Sequence, residues 1–197
     1  MKLVRSAVLA TVVAVAMMPN AAQADSKGHT DSTGDVQSVA SDAQGNVTDT
    51  TTFPEPTTTQ GDITRVRATN GARAVKVVMH FAELNPGGVA QVHQVFIATT
   101  KMRRIALVSA YPGKWGGKSI LRSASGKKVR CSVRHNIDYA RNKVVVKVPS
   151  SCVGRPKVIK VGAIELMLDG TKIFFDDAYA HMGAWTDNVG LSPRIRR

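Results

Sequence analysis

An antiparallel β-sandwich of eight or nine strands, jelly-roll or immunoglobulin-like, is the all-β fold class this sequence predicts, with a closed barrel as the alternative. Three observations predict it. Beyond Ile63, short runs of alternating or β-branched residues follow one another at close spacing. The breaks between them carry turn chemistry: Asn70-Gly71, Asn85-Pro86-Gly87-Gly88, Pro112-Gly113, Ser125-Gly126, Arg141-Asn142 and Asp169-Gly170. No window of a dozen residues holds a 3.6-residue apolar period, so no amphipathic helix is expected.

In chain order, residues 1–24 read as a signal peptide. Lys2 and Arg5 supply a positive start, residues 7–18 are uncharged and largely apolar, and Ala22-Gln23-Ala24 is a small-x-small cleavage site. Twelve residues are too few for the ~20 that span a bilayer. No cysteine lies near the site to carry a lipid, and no later run has spanning length. The mature chain is therefore expected from Asp25, secreted, extracellular or wall-associated, without a transmembrane segment.

Residues 25–61 read as an acidic arm and linker. Asp25 to Asp62 hold seven acids against Lys27 alone, so the net charge of +13 understates a strongly basic body. Seven threonines fall between Thr48 and Thr59 around Pro54 and Pro56, too polar a stretch to offset its ordering entropy by burial. Three Asp-x-x-Gly units, beginning at Asp25, Asp31 and Asp42, suit β-turns or could present carboxylates to a hard cation.

The sandwich is assigned to 62–190, with strands at 63–68, 73–81, 91–99, 102–110, 119–121, 127–133, 143–148, 157–168 and 171–175. Val75, Val77, Met79 and Phe81 share one face at period two, opposite Lys76 and His80. Asp169-Gly170 between two apolar runs is the strongest hairpin signal. Residues 191–197 read as a basic C-terminal tail.

Several short motifs together resemble small exported β-sandwich proteins of actinomycetes with no assigned activity. They are Asp31-Ser-Thr-Gly-Asp35-Val36, Gly61-Asp62-Ile63, residues 74–81, Asp138-Tyr139, Val148-Pro149-Ser-Ser-Cys152, Asp176-Asp177-Ala178 and the basic end from Ser192 to Arg197. The resemblance implies fold and export. More distantly, the Asp-x-x-Gly-Asp and Asp-Ile pairing is similar to sugar- or haem-binding sandwich modules, some of which hold calcium.

Candidate chemistry is sparse. Cys131 and Cys152 in an exported chain are expected to form a disulfide. No Cys-x-x-Cys, His-Glu-x-x-His or Gly-x-Ser-x-Gly is present, so redox, zinc-hydrolase and nucleophile-elbow chemistry lack local support. Gly116-Gly117-Lys118-Ser119 fails as a phosphate loop, because Pro112 stands where its first glycine belongs. His80 and His93 could meet across neighbouring strands, and Glu83, Glu165 and Asp169 are the carboxylates a glycosidase would use. Tyr111 and Trp115, in one Gly-rich loop, are candidates for stacking on a ligand, with Trp185, Tyr139 and Tyr179 the other aromatics fit for it. Asp31 and Asp35 at short spacing, with Asp177 or Asp176 from the far end of the chain, are the candidate ligands of a Ca²⁺ ion. No other cofactor is expected.

The leading expectation is a secreted, monomeric, non-enzymatic binding or surface-interaction module for an anionic cell-wall polymer or polysaccharide. Export argues against nucleic acid. A calcium-bearing carbohydrate-binding module and a small secreted hydrolase are the alternatives.

Overall fold

Alternation along each strand becomes alternation of burial. The strand Ala74–Phe81 buries Val75, Val77, Met79 and Phe81 and turns Lys76, Val78 and His80 away from the core. The computed structural model describes residues 24–180 and 189–197. The signal-peptide reading and Trp185 lie outside the described residues.

Among the described residues, fourteen strands, numbered in chain order, form two antiparallel sheets that do not close into a barrel. One sheet runs β1 (Ser26–Thr30), β4 (Ile63–Asn70), β5 (Ala74–Phe81), β11 (Lys143–Pro149), β10 (Arg134–Asp138). The other runs β3 (Phe53–Pro54), β2 (Gln37–Ala40), β13 (Lys172–Asp177), β12 (Val158–Asp169), β6 (Ala90–Ala98), β7 (Arg103–Ala110), β8 (Lys118–Ser123), β9 (Lys128–Val129). A short β14 (Ile195–Arg196) also pairs with β12. The expected all-β class is therefore present. The Asp169-Gly170 hairpin forms as read, with Asp169 opposite Lys172.

The main core lies between the sheets. Ile63, Val66, Val77, Met79, Val144 and Val146 from the first meet Val95, Ile97, Val108, Leu121, Ile159 and Val161 from the second. A smaller cluster of Val39, Ile173 and Phe175, with Leu166, Leu168 and Val47 against it, covers the other face of the second sheet. Val47 comes from the loop after β2, which approaches so closely that a Cβ on Gly45 would stand 3.0 Å from Leu168. Gly45 also has φ +81°, a conformation glycine adopts without cost.

Two boundaries are corrected. The segment 25–61 is no separate linker: it supplies β1, β2 and β3, pairs with both sheets and buries Val36 and Val39. Its polarity reflects edge positions and short strands, whose backbone groups carry much of the pairing. Of its three Asp-x-x-Gly units, Asp42 caps a turn by accepting the Gln44 and Asn46 N–H groups, while Ser26 to Gly28 lie within β1. The residues 191–197 are no free tail either. Ile195 is fully buried, and the Ser192 hydroxyl accepts the Val161 N–H.

Cys131 and Cys152 form a disulfide that brackets the β10–β11 hairpin and packs against the main core. The closed loop spans 21 residues, so the bridge should contribute about 3 kcal/mol. Replacing both cysteines by Ser is expected to lower Tm by roughly 6–12 °C for a chain of this size. A thiol assay on unreduced folded protein should find no reactive thiol; full titration would remove the bridge from the fold.

Candidate functional site

Two features of opposite charge stand out. The first is a set of carboxylates where the two sheets meet. The segment after β1 crosses from one sheet to the other and carries Asp31 and Asp35. Asp62 precedes β4, and Asp176 lies on the inward face of β13, opposite Glu165. Asp35, Asp62 and Asp176 each offer an oxygen within 4.8 Å of the others. Local structure holds them there. Gly34, at φ +77° and with Pro56 O 3.0 Å from where a Cβ would stand, donates its N–H to Asp62 Oδ2 at 2.8 Å. The Ile63 N–H donates to Asp176 Oδ2 at 2.6 Å.

The electrostatics are those of crowded like charges. Burial, then the neighbouring Asp35, pushes the Asp31 carboxyl up to about 7. Asp176 is pushed up to about 9 by burial, with Asp31, Asp35 and Asp62 adding to it against the Ile63 N–H. Burial and Asp35 likewise raise Asp62. Among the described residues, no ion pair involves Asp31, Asp62, Asp176 or Asp177.

Of the calcium ligands expected from sequence, Asp31 and Asp35 do lie in this region. Asp177 is engaged elsewhere. Its oxygens accept the Tyr179 and Gly190 N–H groups at 3.1 and 2.8 Å, so it organises the turn after β13. Adjacent strand residues face opposite ways, and Asp176 is the one that reaches the group. Asp62, marked in the sequence only by the Asp62-Ile63 pairing, is the carboxylate of the group not among those expected ligands, and it is buried.

The polar rung continues inward. Glu165 pairs in register with Asp176 on one side and His93 on the other. His93 Nδ1 and Glu165 Oε2 are bonded to each other, at 0% and 2% exposure. Burial raises the Glu165 carboxyl, opposed by His93. Burial and Glu165 also push the Tyr139 hydroxyl, which donates to Trp115 O, up to about 12.

The second feature is the outer face of the five-stranded sheet. Register puts Lys76, Lys147 and Arg134 side by side on β5, β11 and β10. Arg65, His80 and Lys143 form a second row, four residues away along β5 and β11. Val78 and Val145 lie between the rows, beside Arg67. An open groove is lined by Ser26, Arg65, Arg67, Lys76, His80 and Lys143. Asp138 pairs with Lys143 and Arg141, but among the described residues no ion pair involves Arg65, Arg67, Lys76, Arg134 or Lys147.

The other sequence candidates do not assemble. His80 faces outward from one sheet while His93 is buried inside the other, so they do not meet. Glu165 is buried against His93; Glu83 bonds Thr59 and Asn85, and Asp169 sits exposed in its hairpin. Tyr111 and Trp115 share the β7–β8 turn, both half-buried, with Lys118 Nζ 5.9 Å from the centre of the Tyr111 ring. Among the described residues no helix is long and apolar enough to cross a membrane. No family model, curated protein or solved structure matches this chain.

Proposed function

We propose that this is an exported, non-enzymatic binding module that grips a polymer of repeating phosphate or carboxylate groups on the outer face of its five-stranded sheet. The observation that carries the reading is the row Lys76–Lys147–Arg134. Like charges directly opposite one another cost stability in a sheet, and here three stand in line without an acidic partner among the described residues. A bound anion converts that cost into attraction.

The spacing favours a repeating ligand over a single ion. Neighbouring strands lie about 4.8 Å apart and the two cationic rows about 13–14 Å apart, so several anionic groups can be met at once. Val78 and Val145 give the polymer backbone an apolar floor. The basic body and the export signal read from the sequence make a wall polymer a fitting partner.

Retention of the full mature chain on immobilised poly(glycerol phosphate) or polygalacturonate is expected at about 0.05 M salt and lost by about 1 M, where screening falls to roughly 3 Å. Replacing Lys76→Gln and Lys147→Gln together should weaken retention at least tenfold on whichever polymer binds. The folded protein should be no less stable, because the like-charge row is relieved. His80 supplies a second readout. Burial, then Lys143 and Arg65, holds its imidazolium below the ordinary value. The unfolded chain therefore takes up the proton first, and the stability contributed by His80 is lost as pH falls below about 6.5. Polymer bound beside those two cations should move the His80 titration, followed by NMR, upward. Salt-independent retention, or equal retention by the double variant, would overturn the reading.

A further inference from the structure

We infer that Asp35, Asp62 and Asp176, with Asp31 beside them, form a Ca²⁺ site that locks the N-terminal segment across both sheets. The three carboxylates of the central group converge within 4.8 Å, from positions 27 and 114 residues apart in the chain. A second, independent observation points to a ligand. Asp62 is only 1% exposed, and while Oδ2 takes the Gly34 N–H, Oδ1 is buried with no hydrogen-bond partner among the described residues. Asp31, 8% exposed, repeats the pattern, with Oδ1 accepting the Ser32 N–H and Oδ2 buried and unpartnered. Buried carboxylate oxygens left without donors are costly unless a cation or a proton satisfies them.

The donor set chooses the cation. Every converging group is a carboxylate, so hard, oxygen-seeking ions are favoured over zinc or copper, which take His and Cys. Mg²⁺ dehydrates reluctantly and is seldom held in an all-protein cage, whereas Ca²⁺ accepts six to eight oxygens in irregular geometry. Carboxylates that bind through one or both oxygens suit the larger ion. The raised proton affinities of Asp31 and Asp176 agree: without a cation, the group relieves its repulsion by holding protons.

The placement says what the ion would do. Asp31 and Asp35 sit where the chain passes from β1 in one sheet to β2 in the other. Asp62 stands just before β4 in the first sheet, and Asp176 lies next to the end of β13 in the second. One ion there joins both sheets to the segment between them. This inference does not depend on the cationic face, and its test uses no polymer.

Full mature protein freed of metal with a chelator is titrated with CaCl₂ by calorimetry and by thermal melting at pH 7. One Ca²⁺ per chain is expected, with Tm rising by about 5–10 °C once calcium is 100-fold above its Kd. MgCl₂ at equal concentration should raise Tm by less than half as much. Asp62→Asn keeps the size and can still accept the Gly34 N–H but removes one charge. It is expected to weaken calcium binding at least tenfold while leaving the metal-free Tm equal or higher. A residue with only a packing role would lower that Tm instead. No heat and no Tm shift at 10 mM calcium, an equal response to Mg²⁺, or wild-type calcium affinity in Asp62→Asn would each overturn the assignment.

Discussion

Removal of residues 25–61 should abolish cooperative melting rather than leave a folded body behind. Deletion strips β1 from β4 along a five-residue register and β2 from β13 along four. Both newly bare strands would present unpaired N–H and C=O groups, the usual template for aggregation. It also withdraws Val36, Val39 and Val47, uncovering Ile173, Phe175, Leu166 and Leu168 on the second sheet. At about 1.5–3 kcal/mol per large apolar side chain returned to water, losing four or five such burials approaches the 5–15 kcal/mol that holds an ordinary domain together. The measurement is a circular-dichroism melt of residues 62–197 beside one of residues 25–197. A cooperative transition within a few degrees of the parent would show that the sandwich folds without its first three strands.

That expectation reverses what the sequence suggests, and the reason is physical. Strands β4 to β8 and β11 to β13 were legible because their inward residues are apolar at period two, as in Val75-Val77-Met79-Phe81. The segment 25–61 fills buried positions with Asp31, Gln37 and Ser38 between Val36 and Val39, and its β3 is only two residues long. Periodicity sees no core there. The pairing of β1 with β4 is largely a backbone matter, which no side-chain pattern announces. The cationic face was half legible. Alternate bases at 65, 67, 76, 143 and 147 mark polar sides of strands, but only the register aligns Lys76, Lys147 and Arg134. Likewise Asp31 and Asp35 were readable from short spacing, whereas Asp62 and Asp176 converge only once the sheets are stacked. Local spacing reports neighbours along the chain, and this cluster is built from neighbours across the fold.

Glu165→Ala or His93→Ala, made singly, is expected to cost about 3–5 kcal/mol, because each strands the other polar group inside the core. Glu165 lies on β12 between His93 and Asp176, and its Oε1 and the His93 Nε2 are both buried with no partner among the described residues. The pair therefore depends on the single bond between Nδ1 and Oε2. Loss of His93 leaves Glu165, whose carboxyl burial already raises, with nothing to oppose that shift. Loss of Glu165 leaves an imidazole against Phe81, whose ring centre is 6.0 Å away, with no acceptor. The costs should not add. A double change to apolar residues of similar volume, His93→Leu with Glu165→Leu, removes both desolvation penalties and should return to within about 2 kcal/mol of the parent. Glu165→Gln, which keeps a hydrogen-bonding oxygen for Nδ1, should fall between the parent and the alanine variant. Urea unfolding of the five proteins at pH 7 decides it. Single changes costing under about 1 kcal/mol, or a double variant less stable than either alanine variant, would mean that this rung is held by its packing and not by the His93–Glu165 hydrogen bond.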